Sequence, residues 1–273
     1  MPEQKPEYEP ENLIEAWLAM TDAHDGAQNV EKFARYAAEL GWRSILAVLE
    51  HPDARAHVST LSGPLSIFIS RFGADFIDRI EEEAAISSAF RECLAHVHPT
   101  PVFTIPETLW SRLSAAADVT IGPMQSKMAS LYAELPDLAQ LMAWDPHPLA
   151  AEDVPTLSDS ELRAQAEAWV IYHQNYWAWE EIRRVLDEDG CEAAWPLVLA
   201  LIDRASQTAL GSIGAGILED MLEAHGDVII ERVEKCAAAD ARFRYCLSYV
   251  WPVLPEPIWE RVVRARGDEP QRG

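Results

Sequence analysis

The chain has few basic residues for its size. Its 273 residues include 22 Lys and Arg against 45 Asp and Glu, which gives a formal net charge of −23 at pH 7. A negative field of this size repels nucleic acid and anionic membrane, and it attracts basic partners. The sequence therefore predicts no direct contact with nucleic acid or membrane, and it favours a basic protein as the partner.

Long apolar runs are also lacking. None approaches the ~20 residues that a helix needs to cross a bilayer, although 49% of the residues are hydrophobic and can form a sizeable core. The first residues, MPEQKPEYEPEN, are acidic and rich in proline, without the apolar stretch of a secretory signal. We expect a cytoplasmic protein with short disordered tails at residues 1–10 and 266–273.

Motifs for metal, phosphate and nucleophilic chemistry are missing. The four cysteines do not have the CxxC spacing of a metal site. The stretch GSIGAG at residues 211–216 lacks the flanking strand and the lysine of a phosphate-binding loop. No Ser–His–Asp or Cys–His constellation can be assigned. The sequence predicts no metal and no cofactor, and it favours a protein without catalytic activity, although an enzyme stays open.

What the sequence does contain is an internal duplication. Residues 63–99 align without a gap with residues 216–252, and 14 of the 37 positions are identical. Further matching segments flank both stretches. We define copy 1 as residues 11–116 and copy 2 as residues 160–265. The linker between them, 117–159, is expected to hold one or two short helices.

Helical periodicity runs through both copies, and alternation typical of strands is absent at useful length. Helix caps are predicted at Asp227, at Asp240 and at either Ser87 or Ser88. Helix ends are predicted at Gly73 and Gly226. The predicted fold is all-α, with two duplicated packets of antiparallel helix pairs that can stack as HEAT repeats do. We expect core positions for the tryptophans that match between the copies: Trp17, Trp42, Trp110, Trp169, Trp195 and Trp259.

A series of short motifs runs along copy 2. They include G-x-L-E at Gly216, H-G at His225, D-x-x-F-R at Asp240 and V-W at Val250. This pattern resembles that of a family of bacterial helical domains of unknown function. The pattern of the family is G-P-L-E-x-L-L, H-G, I-x-x-I-E, D-x-x-F-R and V-W. Copy 1 is similar to the same pattern as a diverged duplicate. The resemblance implies a helical fold and brings no activity with it.

Two polar residues of this pattern stand within apolar helical sequence. Glu219 and Arg244 are interpreted as a structural pair that ties two helices together. The functional alternative makes Glu219, Asp220 and His225 an acid/base or metal cluster. A metal site needs at least three convergent ligands, and the spacing of metal-binding histidines is absent. We therefore favour the structural pair.

The stretch YHQNYWAWEE is the least expected part of copy 2. The equivalent stretch of copy 1 has no aromatic residue, so the shared fold does not require these rings. They can pack against the linker or copy 1, or they can form an exposed anchor, since Tyr and Trp are enriched in binding hot spots. The candidate partner-binding residues are Tyr172, Tyr176, Trp177, Trp179, Glu180 and Glu181.

Charge, helical surface and aromatic stretch together favour a non-enzymatic protein-binding module. In its concrete form it is a bacterial immunity or inhibitor protein that neutralises a basic toxin or effector. One alternative is an acidic DNA mimic that occupies a nucleic-acid-binding protein. The other is an uncharacterised enzyme with Glu219, His225 and Arg244 in an acidic cleft.

Overall fold

The structure is a computed structural model that describes residues 9–97, 105, 107–118, 149–267 and 270. Every regular element in these residues is a helix or a helical turn, and no strand occurs among them. The predicted all-α fold is confirmed. No helix in the described ranges combines the length and the low polarity that a bilayer crossing requires.

Copy 1 begins with a long helix and continues with four more. The helices are α1 (Pro10–Tyr36), α2 (Ala38–Glu50), α3 (Val58–Ile86), α4 (Ser88–Ala95) and α5 (Glu107–Ala117), with a short 3-10 helix (Ala54–His57) between α2 and α3. The helices predicted for the middle of the linker fall in residues 119–148, which lie outside the described residues. The described end of the linker contains a short 3-10 helix (Ala151–Asp153).

Copy 2 repeats this order. Its helices are α6 (Asp159–Arg184), α7 (Cys191–Arg204), α8 (Gln207–Ile213), α9 (Glu219–Ala239), α10 (Ala241–Leu247) and α11 (Glu256–Arg266). Two π-helical turns interrupt the pattern, Val185–Asp189 after α6 and Gly214–Leu218 between α8 and α9. The helices α8 and α9 with the turn between them correspond to the single helix α3, so the predicted duplication is confirmed.

The predicted caps at Ser87 and Asp240 are confirmed, whereas the predicted cap at Asp227 is wrong because Asp227 lies inside α9. The Ser87 hydroxyl accepts a hydrogen bond from the backbone N–H of Phe90 (3.1 Å), and the Asp240 carboxylate accepts one from the N–H of Arg242 (2.8 Å). Both residues have extended backbone, as N-cap residues do. The two caps occupy equivalent positions and begin the equivalent helices α4 and α10.

The predicted helix ends at Gly73 and Gly226 are wrong. Helix α3 continues through Gly73 to Ile86, and α9 continues through Gly226 to Ala239, with a kink at His225 (φ −136°, ψ 19°). A Cβ at Gly73 would lie 3.3 Å from Leu109 of α5, and one at Gly226 would lie 3.0 Å from Ile258 of α11. These glycines allow two helices to approach closely. Glycine is also common at helix ends, so the sequence alone does not distinguish the two roles.

Two ion pairs recur at equivalent positions. Arg79 bonds Glu39 in copy 1, and Arg232 bonds Glu192 in copy 2, both at 2.6 Å. The second recurring pair joins the last helix of each copy to α3 or α9, as Arg112–Glu81 and Arg261–Glu234, again at 2.6 Å. Such surface pairs contribute little stability, but their recurrence shows that both copies keep the same helix contacts.

The described chain forms two compact units. The first combines Met1–Ala23 with Ile171–Gly273, and the second is His24–Val170. The boundaries of these units differ from those of the predicted repeats, because the long helices α1 and α6 each contribute to both units. Neither the linker nor the copies defines a unit by itself.

The tryptophans shared by the copies are core residues. Five of the six are buried, and Trp259 is half-buried against the core of the first unit. Trp17 and Trp169 are fully buried and occupy equivalent positions on α1 and α6. Large buried aromatic side chains dominate core energetics, which explains why both copies keep them.

Candidate functional site

Differences between two copies of one fold mark residues that the fold does not require. The strongest such difference lies at the beginning of α9. Copy 2 has four ionisable residues there, and copy 1 has none of them at the equivalent positions of α3. The pairs are Glu219 and Ser66, Asp220 and Ile67, Glu223 and Ser70, and His225 and Phe72.

Three of these four residues line a cleft in the first unit. The cleft has a volume of about 480 Å³. The end of α6 and the π-turn that follows it form one wall, and α9 forms the other. The described lining residues are Arg183, Leu186, Asp187, Asp220, Glu223, Ala224 and His225.

The π-turn Val185–Asp189 has a cause in the sequence. The segment from Trp169 to Trp195 is one residue longer than the segment from Trp17 to Trp42. A helix accommodates one additional residue as a π-turn, and such turns are frequent at functional sites. The turn contributes Leu186 and Asp187 to the wall of the cleft.

Negative charge dominates this cleft. Arg183 forms an ion pair with Asp220 across the two walls. Asp187 and Glu223 are exposed carboxylates of the same lining. One guanidinium against three carboxylates leaves a surplus of negative charge, which attracts a cationic group.

Glu219 lies next to the cleft, and its environment is unusual for a carboxylate. Its Oε2 accepts a hydrogen bond from the backbone N–H of Trp251 (2.5 Å). Burial raises the pKa of Glu219 above its ordinary value. The Trp251 hydrogen bond lowers that pKa, and the nearby charges of Asp220 and Glu223 raise it. The net result is a raised pKa for Glu219.

Two exposed apolar side chains lie in the segment that is bonded to Glu219. Trp251 is 46% exposed and Val253 is 61% exposed. Both follow α10, and the hydrogen bond from the Trp251 backbone holds this segment against Glu219. We call the set of Glu219, Asp220, Glu223, Trp251 and Val253 the Trp251 surface.

The structure does not bring Glu219 and Arg244 together as a hydrogen-bonded pair. Among the contacts of the described residues, Glu219 is bonded to Trp251, whereas Nη1 of Arg244 donates to the carbonyl of Ala237 (2.6 Å). Arg91 makes the equivalent bond to the carbonyl of Ala84 in copy 1, also at 2.6 Å. Arg244 therefore belongs to the shared fold, and the predicted pair is replaced by two separate contacts.

The aromatic stretch of α6 is largely committed to packing. Tyr172, Trp177 and Trp179 are half-buried against the core of the first unit. The ring of Trp179 lies over Gly216, where a Cβ would come within 3.2 Å of it. The rings thus pack against their own unit, whose core cluster combines residues of copy 2 with the first part of α1 from copy 1.

The remaining candidates of this stretch differ in accessibility. Tyr176 is 40% exposed, and Glu180 is exposed. Glu181 is half-buried and forms an ion pair with Arg184 (2.6 Å). The sequence favoured Trp177 and Trp179 as anchors and did not single out Trp251, which is the more exposed indole in the structure. The sequence indicates only that Trp251 precedes Pro252, close to the end of the predicted helix.

The residues proposed for catalysis are not gathered around one site. His225 lines the cleft, whereas Glu219 and Arg244 are not among its described lining residues. In the part of the chain that the structure describes, no group of three or more His, Cys, Asp or Glu is arranged to hold a metal ion. Burial raises the pKa of the Cys93 thiol to about 12, so this thiol is not a ready nucleophile.

Fold and site together define a duplicated all-α protein with an acidic, partly apolar surface on its second copy. Comparison with known sequences identifies the family. A model of a family of unknown function (DUF6869) matches residues 18–121 and again residues 166–269, and the chain belongs to this family. No curated protein and no solved structure matches the chain.

Proposed function

We propose that this protein is a non-enzymatic binding module that holds a basic protein partner through the Trp251 surface. One observation carries the proposal: a segment with the exposed side chains of Trp251 and Val253 is hydrogen-bonded through its backbone to Glu219, the first of several carboxylates of α9 that copy 1 lacks. The half-exposed indole of Trp251 and the exposed carboxylate of Glu223 have no evident role in the fold that the two copies share.

The apolar part of the surface suits an anchor. Trp is among the residues most enriched in binding hot spots, where a buried ring contributes about 2 kcal/mol or more. Trp251 and Val253 supply such a side chain and an apolar neighbour. The segment is held by the Glu219 hydrogen bond, which lowers the cost of ordering it on binding.

The charged part of the surface suits a basic partner. The arginine that lines the adjoining cleft, Arg183, is engaged with Asp220, which leaves Glu219 and Glu223 without a basic partner among the described ion pairs. The surplus charge is therefore negative, as it is for the whole chain at −23. Complementary charge accelerates association and selects partners. The concrete form we favour is a cytoplasmic bacterial immunity or inhibitor protein that holds a basic toxin or effector.

A peptide-display selection tests the proposal even while the partner is unidentified. A library of random peptides is selected on the immobilised full-length protein and counter-selected on the Trp251→Ser variant. We expect enrichment of peptides that combine Lys or Arg with apolar residues. Enrichment of acidic or uncharged peptides, or no loss of binding on Trp251→Ser, would contradict the proposal.

A competition arm separates the DNA-mimic alternative. A DNA mimic occupies the nucleic-acid site of its target, so duplex DNA would displace this chain from a basic nucleic-acid-binding protein. Displacement that depends on carboxylates outside the Trp251 surface, and not on Trp251, would favour the DNA mimic over the module proposed here.

A further inference from the structure

Each compact unit contains parts of both copies. The first unit combines copy 2 from Ile171 onward with the beginning of α1, up to Ala23. The second unit combines copy 1 from His24 onward with the beginning of α6, up to Val170. The copies have therefore exchanged the first part of their first helices.

Contacts within the first unit show how the α1 segment is held. Leu13, Ile14, Trp17 and Met20 belong to one buried core cluster with residues of α6, α7, α8, α9 and α10. At the end of α7, Arg204 forms an ion pair with Glu11 (2.7 Å). A fully buried indole at Trp17 makes this segment part of the core rather than a surface attachment.

The second unit holds the α6 segment in the corresponding way. Leu162 shares a core cluster with Phe33, Ala37 and Leu40. The Glu167 carboxylate is bonded to His51 at the end of α2 (2.6 Å).

The backbones also come close in this unit. The Cβ of Ala168 lies 2.5 Å from the point where a Cβ on Gly26 would stand. A side chain at Gly26 would therefore push the α6 segment away from α1.

The two exchanges are equivalent by sequence alignment. Trp17 and Trp169 are the same position of the repeat, and both are fully buried. His51 and Arg204 also occupy equivalent positions of the repeat. Each is bonded to a carboxylate on the first helix of the other copy, His51 to Glu167 and Arg204 to Glu11. A reciprocal arrangement with matched cores and matched polar contacts is typical of an exchanged pair.

We infer that each copy carries an apolar groove built to receive the first helix of the other copy, so that the two repeats assemble as an obligate, reciprocally exchanged pair. The occupant of the groove in the first unit is residues 10–23 of this chain. Without that segment the core cluster would lose Leu13, Ile14, Trp17 and Met20, and the apolar surface that they cover would be open to water at a cost proportional to its area.

Cleavage of the folded chain tests the inference. A protease site is inserted after Asp118, an exposed residue just past the end of α5, and the purified full-length protein is cut under native conditions. We expect the two pieces to elute as one complex and to separate only in denaturant. Separation of the pieces in native buffer would overturn the inference.

Two variants in the cleavable protein show which contacts hold the pieces. Trp17→Ala should raise the dissociation constant of the pieces by about a hundredfold or more, because a large buried side chain on the exchanged segment is lost. The matched control is Trp110→Ala on α5, which is also buried but not exchanged. Equal effects of the two substitutions on the dissociation constant would contradict the exchange.

A milder pair of substitutions covers the case in which Trp17→Ala fails to fold. Glu11→Arg should weaken association of the pieces by a few-fold, since an exposed ion pair is replaced by repulsion, and adding Arg204→Glu should restore it. The double variant, Glu11→Arg with Arg204→Glu, can restore association only if the two side chains are in contact in the assembled protein. Absence of this rescue, with both variants folded, would argue against the exchange.

Discussion

Copy 1 and copy 2 keep the same helix contacts but differ in what they present next to them. Both have a capped helix at Ser87 or Asp240. Both also direct an arginine to a helix carbonyl, Arg91 in one copy and Arg244 in the other. They differ at the beginning of α9, where copy 2 has carboxylates. The shared contacts thus maintain the fold, and the difference marks the surface that we propose binds a partner.

The cores of the two copies also differ, which leads to the largest expected effect. Trp42 has ring contacts with Phe68, Phe76 and Phe90 at 5.6–5.8 Å. Trp195, its equivalent, has one such described contact, to Phe243 at 6.2 Å. We expect Trp42→Ala to cost about 3–5 kcal/mol of unfolding free energy and Trp195→Ala to cost less. Urea unfolding of both variants measures this, and a larger loss for Trp195→Ala would contradict the comparison.

A glycine on α2 gives the next effect. A Cβ at Gly41 would lie 2.5 Å from the carbonyl oxygen of Phe33, so Gly41→Ala should cost about 1–3 kcal/mol by overpacking. Copy 2 has an alanine, Ala194, at the position equivalent to Gly41. The residue of copy 2 that is equivalent to Phe33 lies in the π-turn Val185–Asp189, so the backbone next to Ala194 differs from that next to Gly41. Ala194→Gly is the matched control and should cost no more than about 1 kcal/mol. If Gly41→Ala had the same melting temperature as the wild type, both copies would tolerate a Cβ at this position and the comparison would fail.

The shared arginines should respond alike. Arg91→Ala and Arg244→Ala each remove a charged donor from the last turn of a helix, with an expected loss of about 1–2 kcal/mol. The exposed Lys235→Ala serves as a charge control on α9 and should have little effect. If Arg244→Ala abolished peptide binding while Arg91→Ala changed stability alone, Arg244 would belong to the surface and not to the shared fold.

Glu219 should give the smallest effect, and its sign depends on pH. Because the pKa of Glu219 is raised in the folded protein, the folded state binds this proton more tightly than the unfolded state. Ionised Glu219 therefore lowers stability at neutral pH, and the stability of the protein rises as pH falls through the raised pKa. Glu219→Gln, whose amide oxygen can still accept from Trp251, should remove this dependence.

The check is unfolding free energy against pH for the wild type and Glu219→Gln. Copy 1 has the neutral Ser66 at the equivalent position, so Ser66→Ala is a control without a titrating group. The relevant pH range lies between the ordinary pKa of a glutamate and the raised pKa of Glu219. If wild-type stability increased with pH in this range and Glu219→Gln abolished that increase, the pKa of Glu219 would be lowered and not raised.

Much of the fold was predictable because it rests on local patterns. Helical periodicity, the duplicated segments and the caps at Ser87 and Asp240 each depend on a few neighbouring residues. The role of Gly73 was not predictable, because close helix packing and helix termination both select glycine. The exchange of first helices was not predictable either, since two similar copies offer equivalent grooves to both helices.

The site was harder to predict than the fold. The unshared carboxylates of α9 were visible in the sequence as a difference between the copies. Arg244 was misassigned because a sequence pattern does not distinguish a carboxylate partner from a backbone carbonyl. The anchor role went to Trp177 and Trp179, although half-burial of these rings depends on which helices surround α6.

The central claim is that copy 2, through the Trp251 surface, holds a basic partner. The most direct test is the affinity of a display-selected basic peptide for the wild type, for Trp251→Ser, and for Ile86→Ser as a matched control. Ile86 is 81% exposed on copy 1. We predict a loss of about thirtyfold or more for Trp251→Ser, no change for Ile86→Ser, and weaker binding with added salt. Equal losses for the two variants, or binding that is indifferent to both substitutions and to salt, would contradict the account.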